Sequence, residues 1–377
     1  MKAVIVCGFD TYEARIQLVK TYLEKKEFEV SFILSNFKHS TKEFKENTQN
    51  ESPITFIKTL RYRKNLSIER LASHILFAKK AFKLIGVAKP DLIYCMIPPN
   101  SLAYQAKKYR KNHSDTKIIF DLMDLWPETM PMSRFESNPF FSSWRELRDK
   151  NLDSADLILT ECDLYRQVLA KQLDGLNVAT LHLAKSEALF PVMPVNSVET
   201  LHLCYLGSIN NIIDIPAICL LVFTLQKLKP VIVHVIGDGE SCSLFIESLE
   251  KNGAQVVYEG IVYDPTDKQT IFDRCHFGLN IMKESTVVGL TIKSIDYFHA
   301  GLPLINSIPS DTQKLIFENH AGFQFDRDHV EELAQTLSEL TQADIQEMRI
   351  NARDVFVKQF SVEAFERSFQ TALDLLG

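Results

Sequence analysis

Charge order is the first oddity in "GLTIKSIDYFHAGLPLIN", residues 289–306. Ile292, Ile295 and Phe298 keep a three-residue spacing that predicts one apolar face of a helix. Gly301 closes that helix from the C′ position, and Pro303 opens an apolar run that reads as a strand. Lys293 falls in the first helical turn, where the macrodipole already supplies positive charge, and Asp296 follows one turn later. Exposed amides beside Gly289, the dipole and an ammonium converge there, which suits a diphosphate. The competing reading is an i,i+3 ion pair between Lys293 and Asp296 on a solvated face, which contributes little. A second glycine turn, Gly237-Asp238-Gly239, follows the run "VIVHVI" and precedes a helix. Its amides suit a phosphate, and a tight strand–helix turn explains the same residues.

These residues need elements to hold them. Thirteen short apolar runs alternate with amphipathic ones, from "AVIVC" to "NVATLHL" in the first half and from "HLCYLGS" to "GFQF" in the second. Near-continuous apolar strands between helices predict parallel sheets covered on both faces, an α/β class with two doubly wound domains. Predicted boundaries are an N-terminal domain over 1–185, an irregular linker over 186–200 and a second domain over 201–345. Helices over 346–377 are expected to pack back toward the first domain. With 377 residues the chain is too long for one ordinary core. Seven scattered cysteines without a CxxC pair predict reduced thiols in a cytoplasm, and no run is long enough to span a membrane. Net charge is −6, yet residues 58–111 hold thirteen lysines and arginines against Glu69 and Asp91, a local +11 in an otherwise acidic chain.

The block "KSIDYFHAGLPLI" resembles the "K-x-x-E-Y-x-A-x-G-x-P-V-I" signature of retaining GT-B glycosyltransferases of family 4. "YLGSINNIIDI", "HVIGDGES", "VVYEGIVYDP" and "CHFGLNIM" are similar to that family's donor-domain blocks, in the same order. "IIFDLMDLWPETMP" resembles the "D-x-x-D-L-W-P-E-S" block of a bacterial subgroup that builds capsule and O-antigen polysaccharides. The resemblance implies a GT-B fold of two Rossmann-like domains facing across a cleft. It further implies that Gly289, Leu290 and Thr291 with Lys293 hold a diphosphate, and that Asp296 stands for the ribose-binding glutamate. Gly207, Ser208, Gly237 and Asp238 fall in donor-facing loops, Glu259, Ile261 and Val262 border the base, and Gly8 faces the donor phosphates from the first domain. The departures are Ser208 and Asp214, where many members carry Arg and Lys, and Val288 in place of a glutamate, with Glu284 just upstream. "MIPPN" stands where the family has a histidine.

On the acceptor side, Asp121 and Asp124 close the strand "KIIFDLMD", where a carboxylate can orient a hydroxyl or stabilise an oxocarbenium-like state. A helix cap or a loop hydrogen bond accounts for them equally. Trp126 either shapes the loop or stacks on a sugar, and Glu128 is a further acceptor-side candidate. The sole D-x-D sequence, Asp326-Arg327-Asp328, lies outside the blocks singled out above, and no metal or other cofactor is expected. The stretch 70–89 pairs Lys79, Lys80 and Lys83 with Leu76, Phe77, Phe82 and Leu84, as an amphipathic basic helix at a membrane surface would. The expected activity is transfer of a sugar from a nucleotide-diphosphate sugar, UDP favoured, to a lipid-linked glycan, by a peripheral enzyme at the cytoplasmic face of the inner membrane. A transferase-shaped partner subunit without activity is the alternative. A nucleotide-sugar 2-epimerase would need an acid–base set that the sequence does not present.

Overall fold

The computed structural model describes residues 1–46, 53–65, 67–129, 139–195 and 197–376. The end of the "DLWPETMP" block and Asn196 of the predicted linker lie outside these residues. The chain forms two compact units, Met1–Ala184 joined by the segment from Phe365 onward, and Lys185–Ala364.

In the first unit the strands are β1 (Lys2–Cys7), β2 (Glu29–Ser35), β3 (Phe37–Lys38), β4 (Glu43–Phe44), β5 (Ile54–Ile57), β6 (Leu92–Ile97), β7 (Lys117–Leu122), β8 (Leu157–Thr160) and β9 (Val178–Thr180). Its helices are α1 (Glu13–Lys25), α2 (Ile68–Ala88), α3 (Ser101–Arg110), α4 (Pro139–Asp149), α5 (Asp163–Val168) and α6 (Ala170–Leu173). Seven strands make one parallel sheet in the order β5-β2-β1-β6-β7-β8-β9, and β3 with β4 forms a small antiparallel hairpin.

The second unit holds β10 (Leu201–Leu206), β11 (Val231–Ile236), β12 (Gln255–Gly260), β13 (Phe277–Asn280), β14 (Leu304–Asn306) and β15 (Gly322–Gln324). Its helices are α7 (Ile215–Gln226), α8 (Cys242–Lys251), α9 (Pro265–Arg274), α10 (Ile292–Ala300), α11 (Asp311–Asn319), α12 (Val330–Glu339) and α13 (Gln342–Gln359). Six strands run parallel in the order β12-β11-β10-β13-β14-β15. A last helix, α14 (Val362–Leu373), carries the chain back to the first unit, where Phe365, Phe369 and Ala372 join the core of Ile5, Tyr22 and Tyr94. The helical tail is therefore divided, with α13 in the second unit and the end of α14 in the first.

Sequence chemistry explains the element ends. Asp214 caps α7 through the Ala217 amide, Asp264 caps α9 through two amides, and Thr341 with Asp344 completes a capping box on α13. Gly301 stops α10 at φ 67°, a left-handed turn that costs glycine nothing. Strands β6 and β7 are buried almost throughout, as a sheet covered on both faces requires. The seven cysteines are buried free thiols. Among the described residues no helix is long and apolar enough to cross a membrane.

Candidate functional site

The second unit builds its site at the carboxyl ends of β10, β11 and β13, where open parallel sheets bind ligands. A polar ladder crosses the sheet there. Asn280, Asn306 and Gln324 are register partners at the ends of β13, β14 and β15. Asn280 Nδ2 donates to Asn306 Oδ1 at 2.8 Å and to Ser294 Oγ at 2.9 Å, while Asn306 Nδ2 donates to Gln324 Oε1 at 2.8 Å. Both asparagines are fully buried. Thr291, the N-cap of α10, donates to Asn280 Oδ1 at 3.3 Å and accepts the Ser294 amide at 3.0 Å. The carbonyl of Gly289 is fixed by Thr312, through its amide at 2.9 Å and its hydroxyl at 2.8 Å. The start of α10 is thus pinned to the sheet, with its first amides ahead of any intrahelical acceptor.

Lys293 rises from this start. Its Nζ lies 4.2 Å from the centroid of the Tyr205 ring, and a methyl group placed on Gly207 would sit 3.8 Å from its Cε. No carboxylate pairs with it among the described residues, and burial pushes its ammonium down to about 7. Asp296 is bound to Lys185, so the i,i+3 pair between Lys293 and Asp296 does not form. The lysine at the helix start is not a solvated surface charge.

The glycine loops crowd together beneath it. A Cβ on Gly237 would lie 2.0 Å from the Gly207 carbonyl oxygen, and φ at Gly237 is 134°, so only glycine fits. Tyr205 Oη donates to the carbonyl of Ser208, whose side chain is exposed. Asp238 folds onto the Gly239 amide at 2.7 Å. Asp214 accepts from Arg327 Nη2 at 2.9 Å while capping α7. Glu259 Oε1 accepts from His234 Nδ1 at 3.1 Å. Ile261 and Glu284 are exposed, Val262 is half-buried, and Leu290 is buried. Ile292 is 63% exposed, so the apolar face of α10 is carried by Ile295 and Phe298 and not by the residue that opens the series.

In the first unit the structure corrects three expectations. Asp121 is fully buried within β7, clamped by Arg15 through Nε at 2.7 Å and Nη2 at 2.9 Å, with the Tyr94 hydroxyl donating as well. Its oxygens are filled, and it serves the fold. Trp126 is 8% exposed, and its ring face carries the Arg70 guanidinium at 3.6 Å, which leaves no platform for a sugar. Glu128 is bound by Arg145 at 3.0 Å and Arg148 at 2.7 Å, tying its loop to α4. Asp124 remains half-buried at the loop after β7; burial raises its carboxyl above the usual range, and Thr129 Oγ1 donates to it. Gly8 lies against the Pro99 ring, where a Cβ would come within 2.9 Å. The residues missed from sequence are Asn280, Asn306, Arg70 and His74. A polar residue closing each of the runs "FGLN" and "PLIN" was the available signal for the asparagines.

No family model and no curated protein matches the chain in sequence. Solved structures do match. Sucrose-phosphate synthase from Thermosynechococcus elongatus superposes with a TM-score of 0.71 at 11% identity, covering 100% of this chain and 99% of that one. The lipopolysaccharide outer core galactosyltransferase WaaB gives 0.69 at 13% identity over 99% of each chain. Anabaena HepE in complex with UDP gives 0.68 at 12% identity, covering 99% of this chain and 100% of that one. The chain has the two-domain Rossmann-like fold of GT-B glycosyltransferases.

Proposed function

We propose that this chain is a retaining glycosyltransferase of the family-4 type that moves a sugar from a nucleoside-diphosphate sugar, UDP favoured, to a lipid-linked glycan in surface polysaccharide synthesis. The observation that carries the proposal is Lys293. A cation with no carboxylate partner among the described residues stands at a pinned helix start, beside the glycine loops of a GT-B fold. A departing diphosphate would supply the missing negative charge, and the first amides of α10 would share it. The acceptor hydroxyl would attack from the front side, its proton passing to a departing phosphate oxygen. In this reading Asp124 would orient that hydroxyl, and Asp296 would hold the ribose while sharing its charge with Lys185. The reaction is proposed to run without a metal ion, with Lys293 and the helix amides as its electrophiles.

The basic stretch 58–111 is proposed to rest on anionic headgroups at the cytoplasmic face. Lys79, Lys80, Lys83, Lys108 and Lys111 are exposed, as are Val87 and Leu84 beside them. A partner subunit without activity is the second reading, favoured by Asp214 serving as a helix cap where many members carry a lysine. Calorimetry of the isolated chain against UDP, GDP, dTDP and CDP tests the proposal. Binding of one of them, UDP foremost, followed by turnover of the matching nucleotide sugar, is the expected result. Failure to bind any nucleotide would overturn it.

A further inference from the structure

Among the described residues four arginines are buried, and three of them meet carboxylates. Arg15 holds Asp121, Arg148 holds Glu128 and Asp149, and Arg349 meets Asp273. Arg70, on α2, is the exception. It is 1% exposed, yet the one well-aligned hydrogen bond of its guanidinium among the described residues runs from Nη1 to the Asn65 carbonyl at 2.7 Å, with the Tyr62 hydroxyl a weaker neighbour. Nε and Nη2 have no partner there. Aromatic rings surround it, with Trp126 at 3.6 Å and Phe9 and Tyr62 each at 5.8 Å.

The groups around it do not repair the deficit. His74, one turn along α2 and 4% exposed, has neither ring nitrogen bonded among the described residues and stacks along Trp126. His39 and Lys42, from the hairpin loop, add two more basic groups, His39 Nδ1 meeting Tyr62 Oη at 2.8 Å and Lys42 Nζ at 3.3 Å. Two carboxylates are near, but both are engaged elsewhere, Asp10 by the His39 amide at 2.6 Å and Asp124 by Thr129. The mutual repulsion is visible in their protons: burial and Arg70 together lower His39, Lys42 and His74. A buried fork with two empty donors beside further basic groups is what a planar or tetrahedral oxyanion would satisfy, and leaving it empty costs the full desolvation of the charge.

We propose that Arg70, His74, His39 and Lys42 form a site in the first unit for a compact oxyanion, a carboxylate or a phosphate, carried on the sugar acceptor. The proposal rests on the glycosyltransferase reading for the word acceptor, and on the four residues alone for the anion. Arg70 supplies a two-donor fork, His74 a further ring N–H, and Lys42 a charge at the rim. Acceptors whose reacting sugar lacks a charged group would lose this anchor.

Both tryptophans of the chain, Trp126 and Trp144, belong to the cluster around this site, so tryptophan emission, excited beyond tyrosine absorption, reports it. Full-length protein is titrated with glucuronate, glucose 6-phosphate, inorganic phosphate and glucose, while UDP binding is followed separately by calorimetry. A saturable emission change with the charged ligands and none with glucose is expected, and glucuronate against glucose 6-phosphate separates carboxylate from phosphate as the preferred group. Arg70→Gln should weaken the charged ligands at least tenfold and leave UDP affinity unchanged. If Arg70→Gln does not fold by circular dichroism, the rim variant Lys42→Ala decides, with an expected loss of three- to tenfold. Equal responses to glucose and glucose 6-phosphate, or unaltered affinities in the variants that fold, would overturn the site. Loss of UDP binding in the parent protein would sink the glycosyltransferase reading and not this one.

Discussion

Lys293 destabilises the fold it belongs to. In the unfolded chain its ammonium is hydrated; folded, it sits half-buried on the Tyr205 ring without a carboxylate, and its proton is held only up to about pH 7. The folded value lies below the ordinary lysine value of about 10.4, so between about pH 7 and 10 the unfolded chain binds the extra proton and the lysine's contribution to stability rises with pH across that window. Ligand binding has the opposite sign, because the ammonium is the form a diphosphate attracts. UDP affinity should therefore fall as pH rises from 6 to 9, and binding at pH 8 should take up a proton, seen as a heat that depends on the buffer. Lys293→Met should stabilise the protein by about 1–3 kcal/mol in thermal melts, since an unpaired half-buried charge is removed. The same variant should bind UDP roughly 10- to 150-fold more weakly, the equivalent of about 1.5–3 kcal/mol for a charge-assisted contact. It should also lose the proton uptake. A variant that is less stable and binds UDP as the parent does would return Lys293 to the status of a packing residue.

At the scale of elements, the start of α10 depends on two strand ends more than on its own residues. Thr291 and Ser294 are oriented by Asn280, and Asn280 is oriented by Asn306. Asn280→Ala would strip a buried donor from both Asn306 and Ser294 and an acceptor from Thr291, at a cost of about 1–3 kcal/mol. UDP affinity should fall as well, although Asn280 is fully buried, because the amides of α10 lose their fixed aim. A variant of unaltered UDP affinity and lowered melting temperature would confine the network to folding. The elements themselves were readable. Each of the thirteen apolar runs became a strand of one parallel sheet or the other, and the inner strands such as β6 and β7 are apolar almost throughout because they are buried on both faces. The hairpin of β3 and β4 was not, since two-residue strands show no period. Site residues were legible only where local sequence decides their surroundings. Gly237 and Thr291 belong to turns and caps, which neighbours in the chain determine. Asp121 was placed on the right strand, but its partner Arg15 comes from α1, 106 residues away, and no local pattern carries that pairing. Arg70 was read as one more cation in a basic stretch, because its burial under Trp126 depends on a loop 56 positions further on.

The described chain folds as two compact units and crosses between them twice. One core joins residues of the first sheet with Phe365, Phe369 and Ala372; the other is built from residues 201–345. Phe369 is the sharper handle on their independence. It is fully buried, packs at 5.1 Å from the Tyr22 ring and 6.0 Å from the Tyr94 ring, and so supports the tyrosine that donates to Asp121. Phe369→Ala leaves a cavity and should cost about 3–5 kcal/mol. If the two cores unfold as separate units, that cost falls on the first alone, and calorimetric scans should show one transition lowered and the other unmoved. Saturating UDP should act in the mirror sense, raising only the transition that Phe369→Ala spares, by an amount that grows with ligand concentration. The pairing of these two shifts assigns each transition to its unit without cutting the chain. A single transition that moves with both the substitution and the nucleotide would mean that the cores unfold as one cooperative block, and that the return of α14 couples donor binding to the first sheet.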